Sequence, residues 1–256
     1  KKVGKGNFDV IPVTAEIEEI EELDQGINKM AHRISGLLEN VRQEKEMQHL
    51  TELQLIQAQV NPHFLYNTLD TIVWLIEGGM NEDAVEMISS LSIFFRTSLS
   101  KGNDIIPLSE EERHTLSYLE IQQFRYHDIL EFEISIPKEL GSVQVPKLSI
   151  QPLAENALYH GIKNRRGKGK ITITGREEAD AIVLTVSDNG QGMTPERLHE
   201  VQESIRTGER AGFGLAAVAE RIALYYGPGY GMTISSKEGV GTTVEIRLGK
   251  NIQPKS

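Results

Sequence analysis

The spacing of apolar residues changes partway along this 256-residue chain, and that change limits the possible folds more than any other feature. Over residues 20–41, apolar side chains recur at alternating steps of three and four, which is the heptad pattern of a coiled coil. Since Pro62 is the single proline between residues 17 and 77, the pattern predicts one long helix over residues 14–77, kinked at Pro62. From residue 130 onwards apolar residues alternate, which is the period of strands. The sequence therefore predicts an α-helical part followed by an α/β layer.

Short breaks divide these two parts into elements. Gly78 and Gly79 end the long helix, and a second amphipathic helix over residues 81–100 is predicted to form a hairpin with it. Ser109 and Glu112 form a capping box, which predicts a third helix that ends near residue 126. The second half is predicted to hold strands at residues 132–136, 171–175, 181–187, 232–237 and 242–248, and helices at residues 146–163 and 212–226.

The hairpin carries an apolar stripe on each of its helices. The stripes consist of Leu65, Leu69, Ile72 and Ile76 on the first helix, and of Ala84, Ile88, Leu91 and Phe95 on the second. His63 precedes Ile72 by nine residues, and at about 100° per residue this puts it half a turn away from the stripe. Asn67 follows one turn later on the same side. The spacing therefore predicts that His63 faces away from the core, as an ordinary surface histidine also would.

Composition excludes several classes of protein. Lys and Arg number 27 against 37 Asp and Glu, so the net charge of −10 leaves no broad basic surface for a nucleic acid. The absence of cysteine excludes disulfides and fits a reducing compartment. The longest apolar runs are far shorter than the ~20 residues of a membrane-spanning helix. The chain begins Lys1-Lys2 without methionine or a signal peptide, so we expect a piece of a longer protein.

Three segments of the second half carry residue types suited to binding a nucleotide. They are residues 153–161 (LAENALYHG), 188–193 (DNGQGM) and 212–215 (GFGL). Taken singly, each has a plain structural explanation as a satisfied polar residue, a turn or a helix start. Together they offer a carboxylate beside glycines for a flat polar ring, glycines opening a helix for phosphates, and an amide oxygen for Mg²⁺. The chain lacks the GxxxxGK[ST] sequence, so it has no P-loop.

As a set, these segments resemble the N box and the two glycine boxes of the GHKL, or Bergerat-fold, ATP-binding domain. The resemblance covers about residues 130–250 and ends with Gly241-Thr242-Thr243-Val244. It implies an α/β sandwich with a mixed sheet, which binds ATP and Mg²⁺. Residues 204–211 would form a short lid over the phosphates.

The resemblance also implies a role for each matching residue. Asn156 would coordinate Mg²⁺, Asp188 would accept the adenine amino group, and Thr242 would support the water between adenine and Asp188. Further contacts would come from the glycine boxes, with Gly190, Gly192 and Met193 at the adenine, and Gly212, Phe213, Gly214 and Leu215 at the phosphates. His160 and Lys163, one and two turns beyond Asn156, would reach the phosphates.

The first half resembles a different region of the same kind of protein. Residues 59–67 (QVNPHFLYN) are similar to the phospho-acceptor box of LytS/YesM-type sensor histidine kinases, and this likeness runs from about residue 45 to 250. Residues 4–40 resemble the end of a HAMP linker. The implied organisation is a partial HAMP linker and signalling helix at residues 1–44, a dimerisation and phospho-acceptor region at 45–127, and the ATP-binding domain at 128–256.

The implied function is a two-component sensor histidine kinase. His63, assisted by Asn67, would accept the γ-phosphoryl group of Mg·ATP and pass it to an aspartate of a response-regulator receiver domain. The hairpin would pair with a second copy as a dimeric four-helix bundle. No nucleic acid would be bound, and a segment upstream of this chain would anchor the protein in the membrane, leaving this portion in the cytoplasm.

Two departures from related patterns are informative. Phe64 follows His63 where many histidine kinases have an acid, and Pro152 stands where GHKL hydrolases have a catalytic glutamate four residues before the Mg²⁺ asparagine. The second departure disfavours water activation and favours transfer to a side chain. Two alternatives stay open, a GHKL ATPase without phosphotransfer and a nucleotide-binding adaptor. A break in the heptads at residues 42–49 also predicts a weakly packed joint in the long helix.

Overall fold

The computed structural model describes residues 62–98, 104–207 and 214–250, together with residues 27, 29, 30, 33, 34 and 252. The chain divides into two units, Lys1–Pro62 and His63–Ser256. In the first unit the described residues are helical, and its seam residues Ile27, Met30 and Ile34 are exposed. The remaining predictions for residues 1–61, including the HAMP resemblance and the joint at 42–49, lie outside the described residues.

The predicted helical hairpin is confirmed. Helix α1 spans Pro62–Glu77 and helix α2 spans Asn81–Ser98. Gly79, with a φ of 76°, makes the turn between them in the left-handed conformation that glycine adopts easily. The Met80 amide donates to the Leu75 carbonyl at 2.8 Å and closes the end of α1.

The buried face of each helix differs from the predicted stripe. The buried residues are Phe64, Thr68, Ile72 and Leu75 on α1, and Ala84, Met87, Ser90, Phe94, Thr97 and Ser98 on α2. By contrast, Leu69, Ile76 and Ile88 are 45%, 51% and 45% exposed. The two helices thus have two apolar faces, and only one of them packs within the chain.

An aromatic cluster accounts for the choice of buried face. The Phe64 ring lies 4.9 Å from Phe94 and 5.6 Å from Tyr118, a residue of the third helix. Aromatic pairs at this separation contribute beyond their buried area. Phe64, which sequence analysis noted for its lack of charge, therefore anchors the start of α1.

The third helix, α3, spans Leu108–Arg125, and the capping box predicted for it is wrong. Its cap position is Pro107, and Ser109 lies inside the helix. The first amides, of Leu108 and Ser109, donate instead to the carbonyls of Val143 and Gly141 at 2.8 and 3.0 Å. A segment over thirty residues later therefore satisfies the donors that a capping side chain would otherwise satisfy. Two short strands not predicted from the sequence, β1 (Ile105–Pro107) and β3 (Gln144–Pro146), pair antiparallel beside it.

The second half contains a mixed five-stranded sheet, as predicted. Its strands are β2 (Leu130–Ser135), β4 (Gly169–Glu177), β5 (Ala181–Asp188), β6 (Gly231–Lys237) and β7 (Gly241–Gly249), in the order β2-β4-β5-β7-β6. β2 and β4 are parallel and the other pairs are antiparallel. One face is apolar and packs against helices, and the other carries polar pairs such as Arg176–Glu245 at 3.0 Å. The register places Asp188 opposite Thr242.

Three helices cover the apolar face of the sheet. They are α4 (Gln151–Asn156), which continues as a π-helical turn over Ala157–Ile162, then α5 (Pro195–Thr207) and α6 (Gly214–Tyr226). The helix predicted from residue 146 begins at Gln151, because residues 144–146 form β3. Helix α5 was not predicted, and it contains residues 204–207 of the predicted lid; the rest of that lid lies outside the described residues. Among the described residues, no helix is long and apolar enough to cross a bilayer.

Candidate functional site

A cavity of about 360 Å³ lies between the helical layer and the sheet. Helices α4, α5 and α6 and the π-helical turn form one side of it, and β5, β6 and β7 form the other. Its lining residues are Leu153, Asn156, Ala157, His160, Gly161, Val186, Asp188, Gln191, Gly192, Met193, Thr194, Arg197, Val201, Leu215, Ile234, Glu238, Thr242 and Val244. Seven of the predicted site residues are therefore brought together around one cavity: Asn156, His160, Asp188, Gly192, Met193, Leu215 and Thr242.

Asp188 is the buried charge of this cavity. It ends β5, is only 8% exposed, and accepts a hydrogen bond from the Gly190 amide at 2.8 Å. Burial raises the pKa of Asp188 to about 6, while backbone hydrogen bonds from Gly190 and Thr242 act in the opposite direction. Part of the carboxylate's hydrogen-bonding capacity stays directed into the cavity, so the group suits a neutral or cationic N–H donor.

Glycines allow the chain to close around Asp188. A side chain on Gly161 would start 2.5 Å from the Asp188 carboxylate, and one on Gly190 would collide with Gly161 itself. Gly192 has a φ of 66° and lies against the Lys237 carbonyl. Gly190 and Gly192 were predicted to shape this region, whereas the contribution of Gly161 was missed. Its position in the segment of residues 153–161 was the available signal.

Asn156, at the end of α4, and His160, in the π-helical turn, both line the cavity. The wide geometry of this turn is seen where the Lys163 amide donates to the Leu158 carbonyl, five residues earlier, at 2.9 Å. Gln191 uses the carbonyls at this turn: its side chain donates to His160 at 2.9 Å and its amide to Gly161 at 3.1 Å. Burial and the nearby Arg197 lower the pKa of His160. The neutral imidazole is therefore favoured at the cavity.

Ser236 connects the first glycine box, residues 188–193, to β7. It accepts a hydrogen bond from the Met193 amide at 2.9 Å, and its hydroxyl lies 2.9 Å from the Thr242 hydroxyl. Thr242 and Met193 are thus fixed relative to each other on the wall of the cavity. Ser236 itself was not predicted, because only the pairing of β6 with β7 brings it there.

Not all predicted residues reach the cavity. The Lys163 ammonium lies over the rings of Tyr126 and Tyr159, at 5.1 and 4.6 Å, and Lys163 does not line the cavity, so its phosphate contact stays a prediction. Gly214 begins α6 beside Pro152. Gly212 and Phe213 lie outside the described residues.

Helix α5 contributes residues that sequence analysis missed. Arg197 and Thr194 line the cavity, and Glu238 lines it from the turn between β6 and β7. The Thr194 hydroxyl accepts a hydrogen bond from the Arg197 amide at 3.3 Å, which is the pattern of a helix cap. The sequence Thr194-Pro195 directly after the glycine box was the signal that could have located this helix.

His63 and Asn67 lie on α1 and do not line the cavity. His63 is exposed and Asn67 is half-buried. The predicted orientation of His63, away from the buried face of its helix, is confirmed. Its neighbour Phe64 is held in the aromatic cluster, which fixes the start of α1 described above.

Comparison with known proteins gives matches to both halves. Residues 51–130 match the family model described as histidine kinase, and residues 146–252 match that of histidine kinase-, DNA gyrase B- and HSP90-like ATPases. Sensor histidine kinase YesM of Bacillus subtilis is 35% identical over 90% of this chain and 39% of its own length. Sensor histidine kinase BtsS of Escherichia coli K12 is 31% identical over 88% of this chain and 38% of its own length. Sensor protein LytS of Bacillus subtilis is 30% identical over 89% of this chain and 38% of its own length. The chain thus spans less than two-fifths of the length of these relatives.

Proposed function

The chain belongs to the LytS/YesM-type histidine kinases, and from that premise we propose that it transfers the γ-phosphoryl group of ATP to His63. A receiver domain of a response regulator then takes the group on an aspartate. The observation that carries the proposal is a cavity centred on a buried carboxylate in the same chain as an exposed histidine on a helix.

The base of the nucleotide fits the end of the cavity at Asp188. Its carboxylate accepts the exocyclic amino group of adenine, with Thr242 beside it. Val186, Ile234 and Val244 supply apolar walls for the two faces of the ring. Gly161 and Gly190 support this assignment, because they leave the carboxylate open to a flat ligand.

The phosphates extend towards Asn156 and His160, beside Leu215 near the start of α6. In the described part of the chain, no group of three or more His, Cys, Asp or Glu side chains is placed to hold a metal. Asn156 lines the cavity, and its amide oxygen would hold Mg²⁺ together with phosphate oxygens and water. When bound, the ion supplies neutralisation of the phosphate charge.

The transfer itself needs one ring nitrogen of His63 with a free lone pair. A bond forms between that nitrogen and the γ-phosphorus, the bond from phosphorus to the oxygen bridging the β-phosphate breaks, and ADP leaves. The other ring nitrogen then releases its proton to water. The Asn67 amide nitrogen is buried without a hydrogen-bond partner among the described residues, one turn from His63, which supports a role for Asn67 in orienting the ring.

The exposed apolar faces support a homodimer. Leu69, Ile76 and Ile88 on the hairpin form a surface that a second copy would cover as a four-helix bundle. The same proposal keeps the boundaries at residues 44 and 127, with a HAMP linker at the N-terminal side. It places this portion in the cytoplasm, joined to the membrane by an upstream segment.

Incubation with ATP labelled in the γ-phosphate, followed by mapping of the acid-labile label, tests the proposal. We expect label on His63 alone. Release of labelled phosphate without a labelled histidine would indicate a GHKL ATPase, and absence of ATP binding would indicate an adaptor. Either result would overturn the proposal.

A further inference from the structure

A carboxylate from another helix holds the chain just before α4. Glu111 lies on α3, is fully buried, and accepts hydrogen bonds from the amides of Leu148 at 2.9 Å and Ile150 at 2.8 Å. Ile150 is the residue that caps α4. We call this arrangement the Glu111 clasp. It satisfies amide groups that no side chain of α4 itself satisfies.

The clasped segment has an unusual backbone. Leu148 has a φ of 58°, and it is the one described residue other than glycine with a positive φ. A bulky residue adopts this left-handed conformation only at a cost in energy, so surrounding contacts must hold it there. The paired hydrogen bonds to Glu111, on either side of Ser149, are such contacts.

Charged groups fix the segment from two further directions. The Lys147 ammonium donates to the Ser98 carbonyl at the end of α2, and Arg221 on α6 donates to the Lys147 carbonyl. Burial raises the pKa of Glu111, while the backbone hydrogen bonds that it accepts act against that rise. The attraction of Glu111 in turn opposes the lowering of the Lys147 pKa by burial. The clasp therefore connects the hairpin, α3 and the helical layer over the cavity.

We propose that Glu111 is a positioning residue of the nucleotide site, setting the place of Asn156 through the start of α4. Asn156 lies only six positions after the cap Ile150, a rise of about 9 Å along a helix axis. The clasped residues lead directly into the first turn of α4, so displacement of that turn carries Asn156 with it. The inference rests on the proposed contact of Asn156 with Mg²⁺.

The test compares Glu111→Gln with Glu112→Gln in the full chain. Glutamine offers one acceptor and adds an N–H group facing the backbone amides, so it opens the clasp. Glu112 is the half-buried neighbour on the same helix and serves as the matched control. ATP affinity is measured by calorimetry with Mg²⁺ and with EDTA, and the ratio of the two affinities gives the enhancement due to Mg²⁺. Hydrogen–deuterium exchange over residues 147–157 is measured without nucleotide.

We expect Glu111→Gln to lower the Mg²⁺ enhancement roughly tenfold, as for loss of groups that orient metal ligands, and to speed exchange over residues 147–157. The ATP affinity of Glu111→Gln in EDTA should match that of the parent. In Glu112→Gln, the Mg²⁺ enhancement and the exchange over residues 147–157 should also match the parent. A merely structural role would lower the melting temperature yet leave the enhancement unchanged, and that result would overturn the inference. If Glu111→Gln does not fold, Glu111→Asp, which keeps the charge but withdraws it by one methylene, decides by the same ratio.

Failure of the proposed function would have a different signature. A parent protein that binds no ATP, or binds it without Mg²⁺ enhancement, would contradict the nucleotide assignment. The exchange measurement still decides the clasp in that case. Unchanged exchange in Glu111→Gln would show that the clasp does not position α4.

Discussion

The nucleotide cavity and the helical hairpin lie in one chain but differ in how much of their apolar surface that chain covers. The apolar walls of the cavity, Val186, Ile234 and Val244, are all buried, and Asp188 accepts hydrogen bonds from the backbone of Gly190, just after β5, and of Thr242 on β7. On the hairpin, Val73 and Val85 are 53% and 64% exposed, next to Leu69, Ile76 and Ile88. The described part of the chain therefore buries the apolar walls of the cavity, whereas it leaves an apolar face of the hairpin exposed, as the proposed dimer requires.

Replacing His63 is expected to give the largest difference between an effect on the hairpin and an effect on the cavity. His63→Gln should abolish acid-labile phosphorylation while ATP affinity stays within twofold, because His63 does not line the cavity. Autophosphorylation with labelled ATP and calorimetry measure the two quantities. His199→Gln, at an exposed histidine of α5, is the matched control and should keep full label. Label persisting on His63→Gln would disprove the phospho-acceptor assignment.

Charge on the exposed hairpin face should break the dimer without affecting the cavity. Leu69→Asp combined with Ile88→Asp places four carboxylates in the proposed symmetric interface. We expect the dissociation constant of the dimer to increase at least about a hundredfold. Light scattering across a concentration series measures the mass. Leu224→Asp, at a 63% exposed residue of α6, should leave the mass unchanged. A parent protein that is already a monomer at tens of micromolar would contradict the bundle.

Removing the charge of Asp188 should act on the cavity alone. Asp188→Asn replaces an acceptor with a group that also donates towards the adenine amino group. Loss of a charged hydrogen bond of roughly 1.5–3 kcal/mol weakens ATP binding about 10- to 150-fold. Calorimetry measures the affinity, and light scattering should find the same oligomer as the parent. Parent-like affinity would remove Asp188 from the adenine site.

The raised pKa of Asp188 predicts a pH dependence of nucleotide binding. The carboxylate accepts the amino group only when ionised, and its pKa in the folded protein is about 6. Affinity should therefore be constant above pH 7 and fall as the pH drops through 6, reaching roughly a tenfold loss at pH 5. ATP itself also titrates in this range, so the comparison is with Asp188→Asn. A profile that is parallel in the two proteins would show that this carboxylate does not control binding.

The smallest expected effect concerns the joint at residues 42–49. Glu44→Leu with Gln48→Leu makes the heptad seam continuous, which should stiffen the helix upstream of His63. We expect the autophosphorylation rate to change several-fold in either direction at unchanged ATP affinity. A more thermally stable variant with the parent rate would mean that this stretch passively connects its neighbours.

Sequence analysis located the strands and the centre of the cavity because those features are local. The alternation of apolar residues fixes β5 and the glycines fix the turn after Asp188, so both were found within a few residues. The capping of α3 was predicted wrongly, since its first amides bond to Gly141 and Val143, far along the chain. Helix α5 was missed because only Val201 is buried, which leaves a weak apolar period. The direction of Lys163 depends on Tyr159 one turn earlier and also on Tyr126, 37 residues earlier, whose position no local pattern encodes.

The π-helical turn at Ala157–Ile162 constrains the length of its segment as well as the residue type at Gly161. Such a turn contains one residue more than the α-helix it interrupts. A relative that lost one residue here would regain a regular helix, but every later side chain would rotate by about 100° around the axis. Gly161 would leave Asp188, and the Gln191 hydrogen bonds would lose their acceptors. Away from His160 and Gly161, substitutions can accumulate in this turn during evolution, whereas a deletion would dismantle the cavity wall.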